Sequence, residues 1–113
     1  MATYFRNKLE SEIGITEIAV IAVGTTSRVT IIGMSLTNLT EDVVRATIRI
    51  ENTVEVSPND SAYYIKNVLV PANQSLRVIN GGEKLVLAGD MNVYVQSDTA
   101  NSLDFIASYV EII

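Results

Sequence analysis

Cysteine, histidine and tryptophan are all missing from this 113-residue chain. Without cysteine there is no disulfide framework and no thiolate chemistry, and without histidine the commonest general base and the usual zinc ligands are gone. Serine and threonine are plentiful, yet no histidine and no convincing Ser-x-x-Lys spacing is there to activate a hydroxyl as a nucleophile. Few enzymes work under those restrictions, so the expectation is a chain that catalyses nothing and carries neither cofactor nor metal. Basic residues are sparse as well, 8 Lys and Arg against 13 Asp and Glu for a net charge of -5, and they are scattered. Tight binding to nucleic acid is therefore not expected. Long apolar runs are absent: residues 18–23 are too few to span a bilayer, and the N-terminus lacks the basic segment, apolar core and cleavage site of a signal peptide. The expectation is cytoplasmic synthesis and no membrane partner.

What is present is an apolar chain of one-domain length. Hydrophobic residues make up 48% of it, too many for a disordered segment and more than a small monomer usually hides. A homo-oligomer is the natural outlet.

Residues 1–14 read as an N-terminal arm. Phe5, Leu9 and Ile13 recur every four residues, a spacing that puts all three on one face of a short helix, and Gly14 is a plausible stop. Tyr4, Phe5, Leu9 and Ile13 are candidate contact residues of that arm. Residues 15–113 read as a single all-β domain, because short runs of β-branched and aromatic residues are broken every eight to twelve positions by turn chemistry. The pattern predicts a β-sandwich, jelly-roll or Ig-like, of about seven strands near 16–23, 28–38, 43–52, 62–70, 75–87 with a break at Asn80-Gly81, 91–97 and 102–112. Val44, Ala46, Ile48 and Ile50 alternate with Arg45, Thr47, Arg49 and Glu51, so that strand has one dry and one wet face. Asn80-Gly81 is the pair that tolerates positive φ in a tight hairpin. The last strand carries two apolar rows, Leu103, Phe105, Ala107 and Tyr109 on one face and Ile106, Val110 and Ile112 on the other, so it is either central or covered by another subunit.

Sites for chemistry are few. The carboxylate pairs Glu41-Asp42, Glu51 with Glu55 and Asp98 with Asp104 have no recognisable ligand spacing and read as turn and solvated-face residues. Residues 78–84 contain Asn80-Gly81-Gly82-Glu83-Lys84, but lack the P-loop spacing and run into a strand. Tyr63-Tyr64, Tyr94 and Tyr109 are able to stack on sugars or bases, but their strand positions favour packing or subunit contact. Tyr64 and Tyr94 sit on the polar phases of their strands and are the best strand-borne interface candidates. The long polar loop at 52–61, with Pro58, is a candidate contact loop.

The segments 31–38 (Ile-Ile-Gly-Met-Ser-Leu-Thr-Asn), 64–76 (from Tyr64-Ile65 through Pro71-Ala72-Asn73 to Leu76), 87–90 (Leu-Ala-Gly-Asp) and 102–112 (ending Ser108-Tyr109-Val110-Glu111-Ile112) resemble small virion proteins of tailed phages, including phages of cyanobacteria and other marine bacteria. The likeness covers most of residues 28–113, in turn and strand patterns. It implies a β-sandwich module of the virion, partnered by the major capsid protein or by neck and tail proteins, with capsid decoration or cementing as the leading role. A neck, tail or fibre-attachment position and a carbohydrate-binding module are the alternatives.

Overall fold

The structure, a computed structural model, describes residues 2–54, 60–80 and 82–113, and among them are nine strands and no helix. The strands are β1 (Thr3–Ile13), β2 (Ile18–Ala22), β3 (Arg28–Asn38), β4 (Val44–Asn52), β5 (Ser61–Val70), β6 (Ser75–Ile79), β7 (Leu85–Leu87), β8 (Met91–Ser97) and β9 (Leu103–Ile112). All pairings are antiparallel, and they fall into a sheet A ordered β1-β9-β3-β6, with β7 also on β3, and a sheet B ordered β2-β8-β4-β5.

That order has a simple origin. The pairs β1–β9, β2–β8, β3 with β6 and β7, and β4–β5 are the rungs of one long hairpin whose tip is the β4–β5 connection. Rolling the hairpin up adds β9–β3 and β8–β4, which complete two sheets facing each other. This is the jelly roll, one of the ways an antiparallel chain buries two apolar sheet faces against one another.

The core lies between the sheets and follows the period-two alternation of the strands. Val44, Ala46 and Ile48 of β4, Val93 and Val95 of β8, and Leu103, Phe105 and Ala107 of β9 are all fully covered. In β3 the buried set changes phase, from Val29 and Ile31 to Met34 and Leu36, because a register shift sits between Ile31 and Gly33.

Turns are held by residues that tolerate a left-handed backbone: Asn73, Asp90 and Asn101 have φ of 57°, 67° and 50°. Gly89 answers to close approach instead, since a Cβ there would stand 2.3 Å from the Thr25 carbonyl oxygen. Asn38, buried at the end of β3, donates from Nδ2 to the carbonyls of Asp42 (2.8 Å) and Val70 (3.0 Å) and accepts at Oδ1 from the backbone N–H and the hydroxyl of Thr40. One side chain thus ties the β3–β4 turn to the end of β5.

Two expectations need correction. The arm is not a helix: it is β1, an edge strand of sheet A, and it is continuous with the sandwich. A four-residue spacing is a multiple of two as well as nearly one helical turn, so it fits either period, and pairing with the far end of the chain decides for the strand. The count is nine and not about seven because the arm adds one strand and residues 75–87 form two. Gly81 of the expected Asn80-Gly81 hairpin lies outside the described residues.

Candidate functional site

The second apolar row of β9 is where the fold leaves work undone. β9 is an inner strand of sheet A and its odd-numbered row faces the core, but its even-numbered row lies on the outer face, where no element among the described residues covers it.

The registers place neighbours on that face strand by strand. Phe5 of β1 stands opposite Val110 of β9, then Thr30 of β3 and Val86 of β7. Leu9 stands opposite Ile106, then Ser35 and Arg77. Between these rows Asn7, Ser108 and Gly33 form a lower saddle. Phe5 is 83% exposed, Leu9 68%, Val86 67% and Ile106 48%. An apolar surface of this kind, arranged in adjacent rows, is characteristic of a protein contact and unusual for a surface that stays in water. Beside it a shallow depression of about 340 Å³ is lined by Gly33, Ser35, Ser75, Arg77, Ile106 and Ser108, hydroxyl-rich with one cation at its rim.

Ile13 departs from its arm-mates. A bulge between Glu10 and Ile13, where Glu12 takes a φ of 53° and gives its N–H to Asp104 Oδ1 at 2.9 Å, shifts the phase of the strand. Phe5 and Leu9 therefore point outward while Ile13 is fully buried in the chain's own core, out of reach of any partner. Tyr4 faces the other side of β1, 43% exposed, with the Arg6 guanidinium 4.7 Å from its ring centroid and Arg6 Nε 2.6 Å from Glu111.

The tyrosines do not converge. Tyr64 is half-buried and packs against the core, its hydroxyl pushed above the ordinary tyrosine range by burial and secondarily by Glu83. Its neighbour Tyr63 is the exposed one, with Lys66 Nζ 4.8 Å from its ring centroid. The two register shifts along β5 cancel in phase, so Tyr64 faces the same way as Val68 and Val70, while Lys66, which made that row look polar, lies between the shifts and is exposed. Tyr94 does lie on the outer face of sheet B, as its phase requires, but Arg49 covers its ring. Tyr109 packs against the core from sheet A. Pro58 lies outside the described residues. Val86 is the outer-face residue that sequence reasoning missed, and the alternation Leu85-Val86-Leu87 was its only trace.

Electrostatically the strongest feature is on sheet B, where Arg49 binds both carboxylate oxygens of Glu17, at 3.0 and 2.8 Å, and reaches Glu51 at 3.2 Å. The hydrogen bond from Arg49 holds the Glu17 carboxyl below the usual carboxylate range, and Glu17 in turn raises the guanidinium. Among the described residues no group of three acidic, His or Cys side chains is arranged to hold a metal ion, and no helix is long and apolar enough to cross a membrane.

No family model matches the chain, and no curated protein matches it. Among solved structures, it is similar to a protein of Bacillus endospore appendages, described as disulfide-linked pili, at 9% identity and a TM-score of 0.49, over 96% of this chain and 86% of that one. It is also similar to infectious bursal disease virus structures: the Gt strain, at 10% identity and 0.38, and the T13 viral particle, at 11% and 0.37. This chain spans 32% and 39% of those viral chains. At such identities and scores the likenesses carry no argument about function.

Proposed function

We propose that this chain is a structural subunit of a phage virion, and specifically a capsid decoration or cement protein that holds neighbouring coat subunits together. The observation that carries the reading is the uncovered outer face of sheet A, with Phe5 and Leu9 beside Val110 and Ile106. Such a protein acts by burying area, and lasting contacts bury upward of about 1,000 Å² in total with aromatic anchors near the centre. Phe5 is the anchor this face offers. The resemblance of residues 28–113 to tailed-phage virion proteins supports the same reading, and so does a fold with many capsid representatives.

A place at the neck, tail or fibre base would draw on the same face. A carbohydrate-binding role has less behind it, because the tyrosines lie on different faces and the ring of Tyr94 is occupied by Arg49.

Immunogold electron microscopy of purified particles tests the proposal. Label over the head supports decoration, label confined to the tail or neck moves the subunit there, and particles without label or without the chain's peptides by mass spectrometry overturn the virion reading.

A further inference from the structure

We propose that two copies of this chain join edge to edge through β1, antiparallel, with Leu9 opposite the partner's Leu9. The pairing takes the assembly reading one step further and rests on it for its purpose, although its test does not.

The edge is open and correctly equipped. Ala2 and Ile113 exchange two backbone hydrogen bonds, each 2.9 Å, which fixes the phase of the β1–β9 ladder. Even-numbered residues of β1 bond to β9, so by alternation Thr3, Phe5, Asn7 and Leu9 aim their N–H and C=O groups off the sheet. From Thr3 to Glu10 the register runs without a break. The other outer strands offer less: β5 carries two register shifts and a left-handed Asn67, β2 is five residues long with a shift of its own, and β6 is also five residues long. Bulges and short lengths are two of the means of blocking an edge, and β1 is free of both from Thr3 to Glu10.

Charge selects the occupant and the register. Arg6 and Lys8 occupy one half of the regular stretch of β1 and Glu10 the other, all three on the same side of the strand, ahead of the bulge at Glu12 that shifts its phase. An antiparallel second copy sets each half against its opposite. With Leu9 on the two-fold axis, Lys8 meets the partner's Glu10 twice over by symmetry. Sliding the strands by one step of two residues puts Lys8 against the partner's Lys8, beside two Arg6–Glu10 pairs, in one direction and Glu10 against the partner's Glu10 in the other. Like charges directly opposite are unfavourable, and of these three registers the Leu9-centred one alone sets no like pair opposite. Lys8 is loosely held in the single chain, 3.8 Å from its own Glu10. On the outer face the same register joins Leu9 to the partner's Leu9 and makes one apolar strip of two, an isologous contact that closes at two copies.

The test uses the purified chain, Lys8→Glu, Glu10→Lys and an equimolar mixture of the two variants, by size exclusion with light scattering. The wild type is expected at twice 12.3 kDa. Each variant alone places like charges opposite each other and is expected at monomer mass, with dimer affinity at least tenfold weaker. The mixture is expected to dimerise again, because Lys8→Glu beside Glu10→Lys restores both pairs. Circular dichroism establishes that each variant is folded. Hydrogen exchange on the wild type gives a readout that needs no variant: the Asn7 and Leu9 amides should gain protection with rising concentration, whereas those of Arg6 and Lys8 stay protected throughout. A wild type that is monomeric at 100 μM overturns the proposal. So does a mixture that stays monomeric, or a dimer in which the Asn7 and Leu9 amides exchange freely. None of these results bears on whether the chain is found in virions, so the two readings fail separately.

Discussion

Arg49 lies over the ring of Tyr94, its guanidinium carbon 4.5 Å from the ring centroid, while its nitrogens bind both carboxylate oxygens of Glu17. Arg49 also donates to Ser61 Oγ at 2.8 Å, so a residue of β4 fastens β8, β5 and the segment before β2. Lysine has no planar fork for this, and Arg49→Lys is expected to lower the melting temperature by the equivalent of about 1–2 kcal/mol.

Acid should weaken the same cluster. Glu17 is held below its ordinary carboxylate value in the folded chain, so the unfolded chain takes up its proton more readily. Its contribution to stability is present above the unfolded value and is lost as pH falls through the lower folded one. Melting temperatures taken from pH 6 down to pH 3 should fall less steeply in Glu17→Gln than in the wild type. Equal slopes would mean that the pairing adds nothing to stability.

Asn38 is expected to be among the most sensitive polar positions. Asn38→Ala strands the buried Val70 carbonyl and frees the Thr40 turn, at a cost of about 1–3 kcal/mol measurable by urea unfolding.

At Gly89 the obstacle is backbone. A Cβ would stand 2.3 Å from the Thr25 oxygen and 2.9 Å from the Gly24 oxygen, and neither can rotate away. The turn is clamped there by Asp90 N–H to Val23 O and Val23 N–H to Met91 O. Gly89→Ala is expected to cost about 1–3 kcal/mol, and an unchanged unfolding midpoint would mean that the two loops are free to separate.

Phe5→Ser with Leu9→Ser should behave in the opposite way. Both side chains stand in solvent, so stability should change by no more than about 0.5 kcal/mol per site, while co-sedimentation with the particle should be lost. A variant that still co-sediments would show that another surface makes the contact.

Much of the fold was legible because its strands obey local rules. The spans of β3 and β8 follow directly from their β-branched runs, and the breaks at Asn73, Asp90 and Asn101 are left-handed positions filled by residues that accept them. The uncovered row of β9 was readable too, as a second apolar phase. What misled were places where two periods coincide or where phase slips. Phe5, Leu9 and Ile13 satisfy helix and strand spacing alike, and only a partner about a hundred residues away separates the two. Tyr64 turns inward although Lys66 marks its row as polar, because Lys66 sits between two register shifts that cancel, and Ile13 turns inward because of the bulge at Glu12. Bulges of this kind have no dependable signature in a single sequence, and each one inverts every assignment beyond it.

The rolled hairpin also orders events in time. β1 leaves the ribosome roughly ninety residues ahead of β9, an interval on the order of 5–20 s at ordinary elongation rates. The tip, β4 with β5, is the most local rung and closes early, and the β1–β9 rung spans the longest loop and closes last. The ordered β1 edge is thereby the last part of sheet A to form, present only once β9 has been made and has paired with it.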